Sequence, residues 1–295
     1  MIIDPIYWRS KMNKQKIAIL IDSGVDVPSH IIKENNMYLL PLKIIYKDRE
    51  YSDIVDITAE EVYSMLETEV PTTSLPPRNE IIDLFDKIKA DGYEKVLAVS
   101  ISSGLSGTYN AIRLAANDYE GLDIFVLDTK NISIGSGFNA IQAAEYLKEG
   151  MDWDTLVKTV SDNLGNSKLF FCVETLEYLQ KGGRIGLVSA LLGTTLRFKP
   201  IISCNEDGIY YTAAKIIGRK RSLNKAMELA VEFAKGSTRY NVGIVHGAAL
   251  EEAEAVKEAL MPQLPHCHIF VNGPISPALG VHTGPGTIGI LVQKI

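Results

Sequence analysis

Three cysteines in 295 residues, two tryptophans and no apolar run of about 18 residues set the first limits on this chain. Cys172, Cys204 and Cys267 stand singly, without the paired spacing of a zinc site or the density of a disulfide scaffold. They read as reduced, mostly buried thiols. The shortage of long apolar runs leaves nothing to span a bilayer. Positive charge is also short: 30 Lys plus Arg against 36 Asp plus Glu give a net charge of −6, the wrong sign for a surface that neutralises nucleic-acid phosphates. No GxGxxG follows the first strand-like run, and Gly104-Leu-Ser-Gly107 lacks the lysine of a P-loop, so neither a dinucleotide nor a nucleoside triphosphate is expected as cofactor.

Residues 1–15 carry Asp4, Pro5, Trp8, Arg9 and Lys11 around a very short apolar patch, unlike a secretory leader. They are expected to form an N-terminal extension of a cytoplasmic protein. Met12 lies just ahead of the first strand-like run, so the native start is Met1 or Met12.

What is present is alternation. Apolar runs at 16–22, 95–100 and 124–128 read as strands buried on both faces, and helical patterns at 80–90, 109–117 and 138–148 lie between or after them. Strands alternating with helices imply a mainly parallel sheet whose ligands sit beyond the carboxyl ends of its strands. A helix at 152–164 bridges to a second, mixed unit. That unit is expected to hold strands at 168–173, 200–204, 210–217, 241–246, 268–271 and 289–293, with helices at 176–181, 187–192, 223–234 and 250–261. The expected organisation is therefore two α/β domains, 16–165 and 166–295, with a ligand at their junction and the 282–286 loop returning to it.

Three segments are richer in hydroxyls and glycine than connections require. Pro71-Thr-Thr-Ser-Leu-Pro-Pro77 precedes a helix, which would put Thr73 or Ser74 at its N-terminus. Ser102-Ser-Gly-Leu-Ser-Gly-Thr108 follows a strand and precedes another helix, placing Ser106 and the amides of Gly107 and Thr108 at a second one. Two such termini at one sheet edge would hold a small anion; the alternative is that each hydroxyl only caps its own helix. His282-Thr-Gly-Pro-Gly286 could bring an imidazole to a carboxylate, and Arg184, after the helix stop Gly182-Gly183, could steady the anion or serve as a surface charge. Lys215, Arg219, Lys220 and Arg221 form the dense basic cluster, either a solvated helix start or a dock for an acidic partner.

Taken in order, Asp22-Ser-Gly with Asp26, Pro41-Leu, Asp56-Ile-Thr58, Thr73-Ser-x-Pro76, Ser102-Ser-Gly-Leu-Ser106-Gly-Thr108, Gly182-Gly-Arg184-Ile and His282-Thr-Gly-x-Gly286 resemble the DegV family of bacterial fatty acid-binding proteins. The set covers nearly the whole chain from Lys16. The resemblance implies a two-domain α/β carrier whose ligand is one long-chain fatty acid, with no other cofactor. It implies Thr73, Ser106 and His282 around the carboxylate, Arg184, Gly107, Thr108 and Ser74 in the supporting network, and a separate ATP-dependent fatty acid kinase as partner. It implies no intrinsic catalysis. Two departures are visible: Leu75 stands where Gln is common, and Asp-Ser-Gly-Val-Asp replaces the usual Asp-Ser-Thr-Ser-Asp. The alternatives are a Ser106/His282 esterase or acyltransferase, which lacks the GxSxG elbow and an identifiable third carboxylate, and a non-lipid small-molecule sensor. N-terminal sequencing of the native protein separates the two start sites, since only translation from Met12 removes the segment that holds Trp8.

Overall fold

The computed structural model describes residues 12–191 and 198–295. The extension expected over 1–11, and Leu192 at the end of the helix expected over 187–192, lie outside them. The first half of the chain forms strands β1 (Ile17–Asp22), β2 (Tyr38–Leu40), β3 (Lys43–Ile45), β4 (Glu50–Ser52), β5 (Thr72–Ser74), β6 (Lys95–Ser100) and β7 (Asp123–Asp128). Its helices are α1 (Ser29–Glu34), α2 (Ala59–Met65), α3 (Arg78–Ala90), α4 (Thr108–Asn117), α5 (Ile134–Glu149) and α6 (Trp153–Asp162). The second half adds β8 (Ser167–Cys172), β9 (Ile201–Cys204), β10 (Tyr210–Ala214), β11 (Tyr240–Gly247), β12 (Cys267–Pro274) and β13 (Thr287–Lys294), with helices α7 (Glu177–Lys181), α8 (Arg219–Ala234), α9 (Leu250–Leu260) and α10 (Pro277–Thr283).

Sheet one runs β2-β1-β6-β7, every pair parallel. The continuous apolar run of β1 follows from its position: Ile17, Ile19 and Ile21 face α5, while Ala18 and Leu20 face α3 and α4. Sheet two runs β10-β9-β8-β13-β11-β12, antiparallel except for β11 with β12. One of its faces, with Leu169, Phe171 and Leu291, turns towards α5, and the other, with Phe170, Ile244 and Ile290, is covered by α8 and α9. The strand expected over 210–217 stops at Ala214, and Ile217 keeps a single bridge to Phe198.

Helix α5 is the middle layer, packed against β1 and β6 on one side and β8, β11 and β13 on the other. Its sequence suits that place. Gly135, Ser136, Gly137, Ala140, Ala143 and Ala144 are all buried, and their small size lets both sheets approach the helix. A methyl group on Gly137 would lie 2.4 Å from the carbonyl oxygen of Val25, and one on Gly135 would lie 2.9 Å from both Asn131 and Leu291. A single core therefore runs from Ile17 and Val99 through Phe138 to Phe171 and Leu291. Each large aliphatic or aromatic side chain fully buried there contributes about 1.5–3 kcal/mol.

The third sheet, β4-β3-β5, is antiparallel and only three residues deep per strand. It is absent from the sequence reading because strands this short show no period. Helix α10 packs against α2, α7, β3 and β5. The prediction from this packing is that Gly137→Ala destabilises the fold by about 1–3 kcal/mol in denaturant unfolding. Gly165→Ala, where a methyl group meets nothing within 4 Å, should change it by less than about 0.5 kcal/mol.

Candidate ligand-binding site

The β1 strand ends at Asp22, whose buried carboxylate accepts from the Ser100 hydroxyl at 2.6 Å, the Ile101 amide at 2.9 Å and the Gly24 amide at 2.9 Å. Burial pushes this acid up to about 6, against the lowering effect of those hydrogen bonds. Its role is local: it holds the start of the loop 101–107 that follows β6. Ser102 locks the same loop to sheet two by donating to the Gly208 carbonyl at 2.9 Å. Gly208 sits at φ +75° in the turn between β9 and β10, and a Cβ there would fall 1.8 Å from the Ser102 hydroxyl. A methyl on Gly104 would meet the carbonyls of Asp207 and Gly208 at 2.9 Å.

Ser106 thus reaches its place on a loop clamped from both sides. Its hydroxyl lies 2.8 Å from the Thr108 hydroxyl and accepts from the Thr108 amide at 3.3 Å. Gly107 is the residue before α4, and Leu75 packs over it, since an added Cβ would be 2.9 Å from the Leu75 side chain. Ser106 and Gly107 accordingly stand at a helix N-terminus, as the sequence suggested.

Thr73 and Ser74 do not. They lie on β5, paired with Ile44 and Lys43, and α3 begins only at Arg78 after Pro77. Pro76 and Pro77 favour extended backbone ahead of them, so the segment pairs with β3 instead of joining the helix. His282 also departs from expectation. It belongs to α10, started by Pro277 and stopped by Gly284 at φ +71°, so that only 284–286 forms a loop.

Thr73, Ser74, Ser106, Gly107, Arg184 and His282 all line one cavity of about 270 Å³. This is close to the lower end of small-ligand pockets, roughly 300 Å³. Leu42, Ile101, Leu105, Ile132 and Leu279 supply its apolar wall. Thr108 is fully buried behind Ser106. The His282 Nε2 lies 2.7 Å from the Thr73 hydroxyl, and its buried Nδ1 has no partner. Burial, and secondarily the Arg184 charge, push the imidazole down to about 3, so it is neutral at ordinary pH. Arg184 donates from Nη1 to the Gly182 carbonyl at 2.8 Å and from Nε to the Leu105 carbonyl at 3.3 Å, which joins the end of α7 to the Ser106 loop. The basic cluster is divided: Arg219 pairs with Glu252 at 2.7 Å and Lys215, Lys220 and Arg221 are exposed.

Sequence reasoning missed Gly182. A Cβ there would lie 2.0 Å from the His282 Nδ1, so this glycine makes room for the ring. In the sequence the Gly182-Gly183 pair reads as a helix stop; in the structure Gly183, at φ +69°, has that backbone role and Gly182 is left to make room. Buried Tyr210 also lines the cavity, where the sequence marks it only as a strand residue.

The cavity is lined by hydroxyls, a neutral imidazole and a guanidinium together with apolar side chains. No hydrogen bond joins Ser106 to His282 among the described residues, and no carboxylate meets His282 Nδ1. Fold and cavity define an α/β protein with a cavity of small-ligand size lined by both polar and apolar side chains. The family model described as "Uncharacterised protein, DegV family" matches residues 16–294, and the chain belongs to the DegV family. A DegV domain-containing protein of Clostridium perfringens is 43% identical over 282 residues, 95% of this chain and 99% of that one. Among solved structures, that of a fatty acid-binding DegV family protein from Thermus thermophilus superposes with TM-score 0.89 at 26% identity, covering 95% of this chain and 99% of that one. DegV of Bacillus subtilis, described as a fatty acid binding protein, gives 0.87 at 27% identity, covering 97% and 100%.

The neutral imidazole is testable directly. In a nitrogen-detected NMR titration the His282 ring should stay uncharged down to about pH 4, because its folded value lies far below the roughly 6.5 of a free histidine. The unfolded chain takes up that proton first, so this group's contribution to stability is present above about pH 6.5 and is lost as pH falls towards the folded value. A ring that charges near pH 6.5 in the folded protein contradicts the burial seen here.

Proposed function

We propose that this chain binds one long-chain fatty acid, carboxylate among Thr73, Ser106 and His282, and presents that carboxylate to a separate ATP-dependent kinase. The observation that carries the reading is the cavity itself: Thr73 and His282 joined by a hydrogen bond, Ser106 and apolar side chains line it together, in a fold of which two solved relatives are described as fatty acid-binding. Burying the tail contributes about 0.8 kcal/mol per CH₂. A carboxylate left without partners inside would cost several kcal/mol, so the polar side chains orient the ligand and offset its desolvation.

The imidazole sets the direction of those hydrogen bonds. A neutral ring holding its proton on Nε2 donates to the Thr73 oxygen, which frees the Thr73 hydroxyl proton for a carboxylate. The opposite tautomer would turn that proton away from the ligand. Ser106, Gly107 and Arg184 supply the other side.

Presentation is supported by a second, open cleft of about 280 Å³ that shares Leu105, Ser106, Gly107 and Arg184 with the cavity. A kinase seated there reaches the head group without exposing the tail. Its chemistry would be attack of a carboxylate oxygen on the terminal phosphorus of ATP, giving acyl phosphate and ADP, with this chain holding the acid and supplying no step. The pair would work in the cytoplasm, where ATP is.

Mass spectrometry of material released from denatured protein should show a fatty acid at one per chain, and a clean protein that also fails to bind added acid contradicts the reading. Thr73→Ala with Ser106→Ala should weaken fatty acid binding by at least about tenfold, the order of one or two charge-assisted hydrogen bonds. Unchanged affinity moves the head group elsewhere. Turnover of a nitrophenyl ester that disappears in Ser106→Ala would establish the esterase instead.

A further inference from the structure

Two of the three residues proposed around the carboxylate come from distant elements, Thr73 on β5 and His282 near the end of α10, so something must hold those elements in register. The short sheet accounts for one side. β3 pairs with β5 through Ile44 and Thr73, and with β4 through Lys43 and Ser52. The next residue, Asp53, donates its amide to the Leu42 carbonyl at 2.8 Å, which ties it to the chain just ahead of β3. Its side chain crosses to the other side: the Asp53 Oδ1 accepts from the amide of Ala278, in the first turn of α10, at 2.8 Å.

Asp26 makes a parallel link. Its Oδ1 accepts from the Ser276 amide, immediately before α10, at 3.0 Å, and its Oδ2 accepts from the Ser133 hydroxyl, immediately before α5, at 2.5 Å. Both acids are costly in these positions. Asp53 is fully buried, and burial pushes it up to about 6 and Asp26 up to about 7. The backbone pays as well: Ile54, directly after Asp53, sits at φ +59°, a left-handed conformation that a β-branched residue strongly resists. Core packing does not explain two buried carboxylates that each accept from an amide at the start of the helix carrying His282, one of them beside a strained turn.

We propose that Asp53, assisted by Asp26, is a positioning residue for the head-group site: it sets the Thr73–His282 spacing by tying the start of α10 to the sheet that carries Thr73. The inference rests on the fatty acid reading above. Asp53 does not line the cavity. Its effect passes through the helix to the imidazole, so it acts on recognition of the carboxylate and leaves the apolar wall unchanged.

The test compares oleate with oleyl alcohol, which shares the tail and lacks the charge, by calorimetric titration of the full chain. The wild-type protein should prefer oleate. Asp53→Ala should lower oleate affinity about tenfold while oleyl alcohol changes less than about twofold, and Asp53→Asn, which keeps an oxygen for the Ala278 amide, should restore oleate to within about threefold. Equal losses for both ligands, or none for either, overturn the proposal, because a merely structural role does not separate head from tail. Should Asp53→Ala fail to unfold cooperatively, Asp53→Glu decides. It keeps the charge but moves the carboxylate by one methylene, and an oleate preference equal to wild type overturns the proposal. A wild-type protein that shows no preference between the two ligands overturns the head-group reading itself.

Discussion

A hydrogen bond of 2.7 Å between Thr73 and His282 joins residues 209 positions apart, and the site depends on it. The threonine arrives on a three-residue strand and the histidine near the end of a seven-residue helix. Neither element is stable alone at that length. Both exist because the larger layers, two sheets around one buried helix, give them something to pack against. The imidazole is neutral for the same reason: enclosure beside Arg184 removes the option of charge. A neutral ring can orient a hydroxyl proton without competing for the ligand's own charge.

Much of the architecture was legible in the sequence because it rests on periodicity. The run at β1, the 3.6-residue pattern of α8 and the alternation of strands and helices each reflect burial over several turns or pairs. The hydroxyl-rich loop around Ser106 was also legible, since its position after β6 and before α4 follows from those same patterns. Elements too short to carry a period were not. β3, β4 and β5 carry none, and the helix start that the hydroxyls at Thr73 and Ser74 suggest is displaced by two prolines, which leave Thr73 on a strand. His282 was read as a loop residue because His-Thr-Gly-Pro-Gly looks like a turn. Its helix is specified from the other end, by Pro277 and by acids some 225 and 250 residues away in sequence.

Glycines mark where surfaces interlock. Gly104 and Gly208 let a loop of sheet one meet a hairpin of sheet two, and Gly182 lets an imidazole lie against the end of α7. At Gly208 both reasons act together, a positive φ and a contact that no side chain could share. At Gly182 only space matters. That distinction explains why a residue read as a helix stop also belongs to the binding geometry. Leu75 shows the converse: here an apolar side chain lies over a glycine, Gly107, and both line the cavity.

The shared helix α5 restricts how a guest gets in. In many two-lobed binding proteins the halves swing about a hinge, because the surface between them is polar and easily wetted. Here both halves lean on the same apolar cylinder, whose Phe138, Ile134 and Ala140 have no exposure at all. Parting the sheets would wet that cylinder along its length, at about 1.5–3 kcal/mol for each large side chain uncovered. Any route into the cavity therefore lies among the small elements that line it, β5 with Leu75 after it, the loop at Arg184 and α10, and not between the sheets.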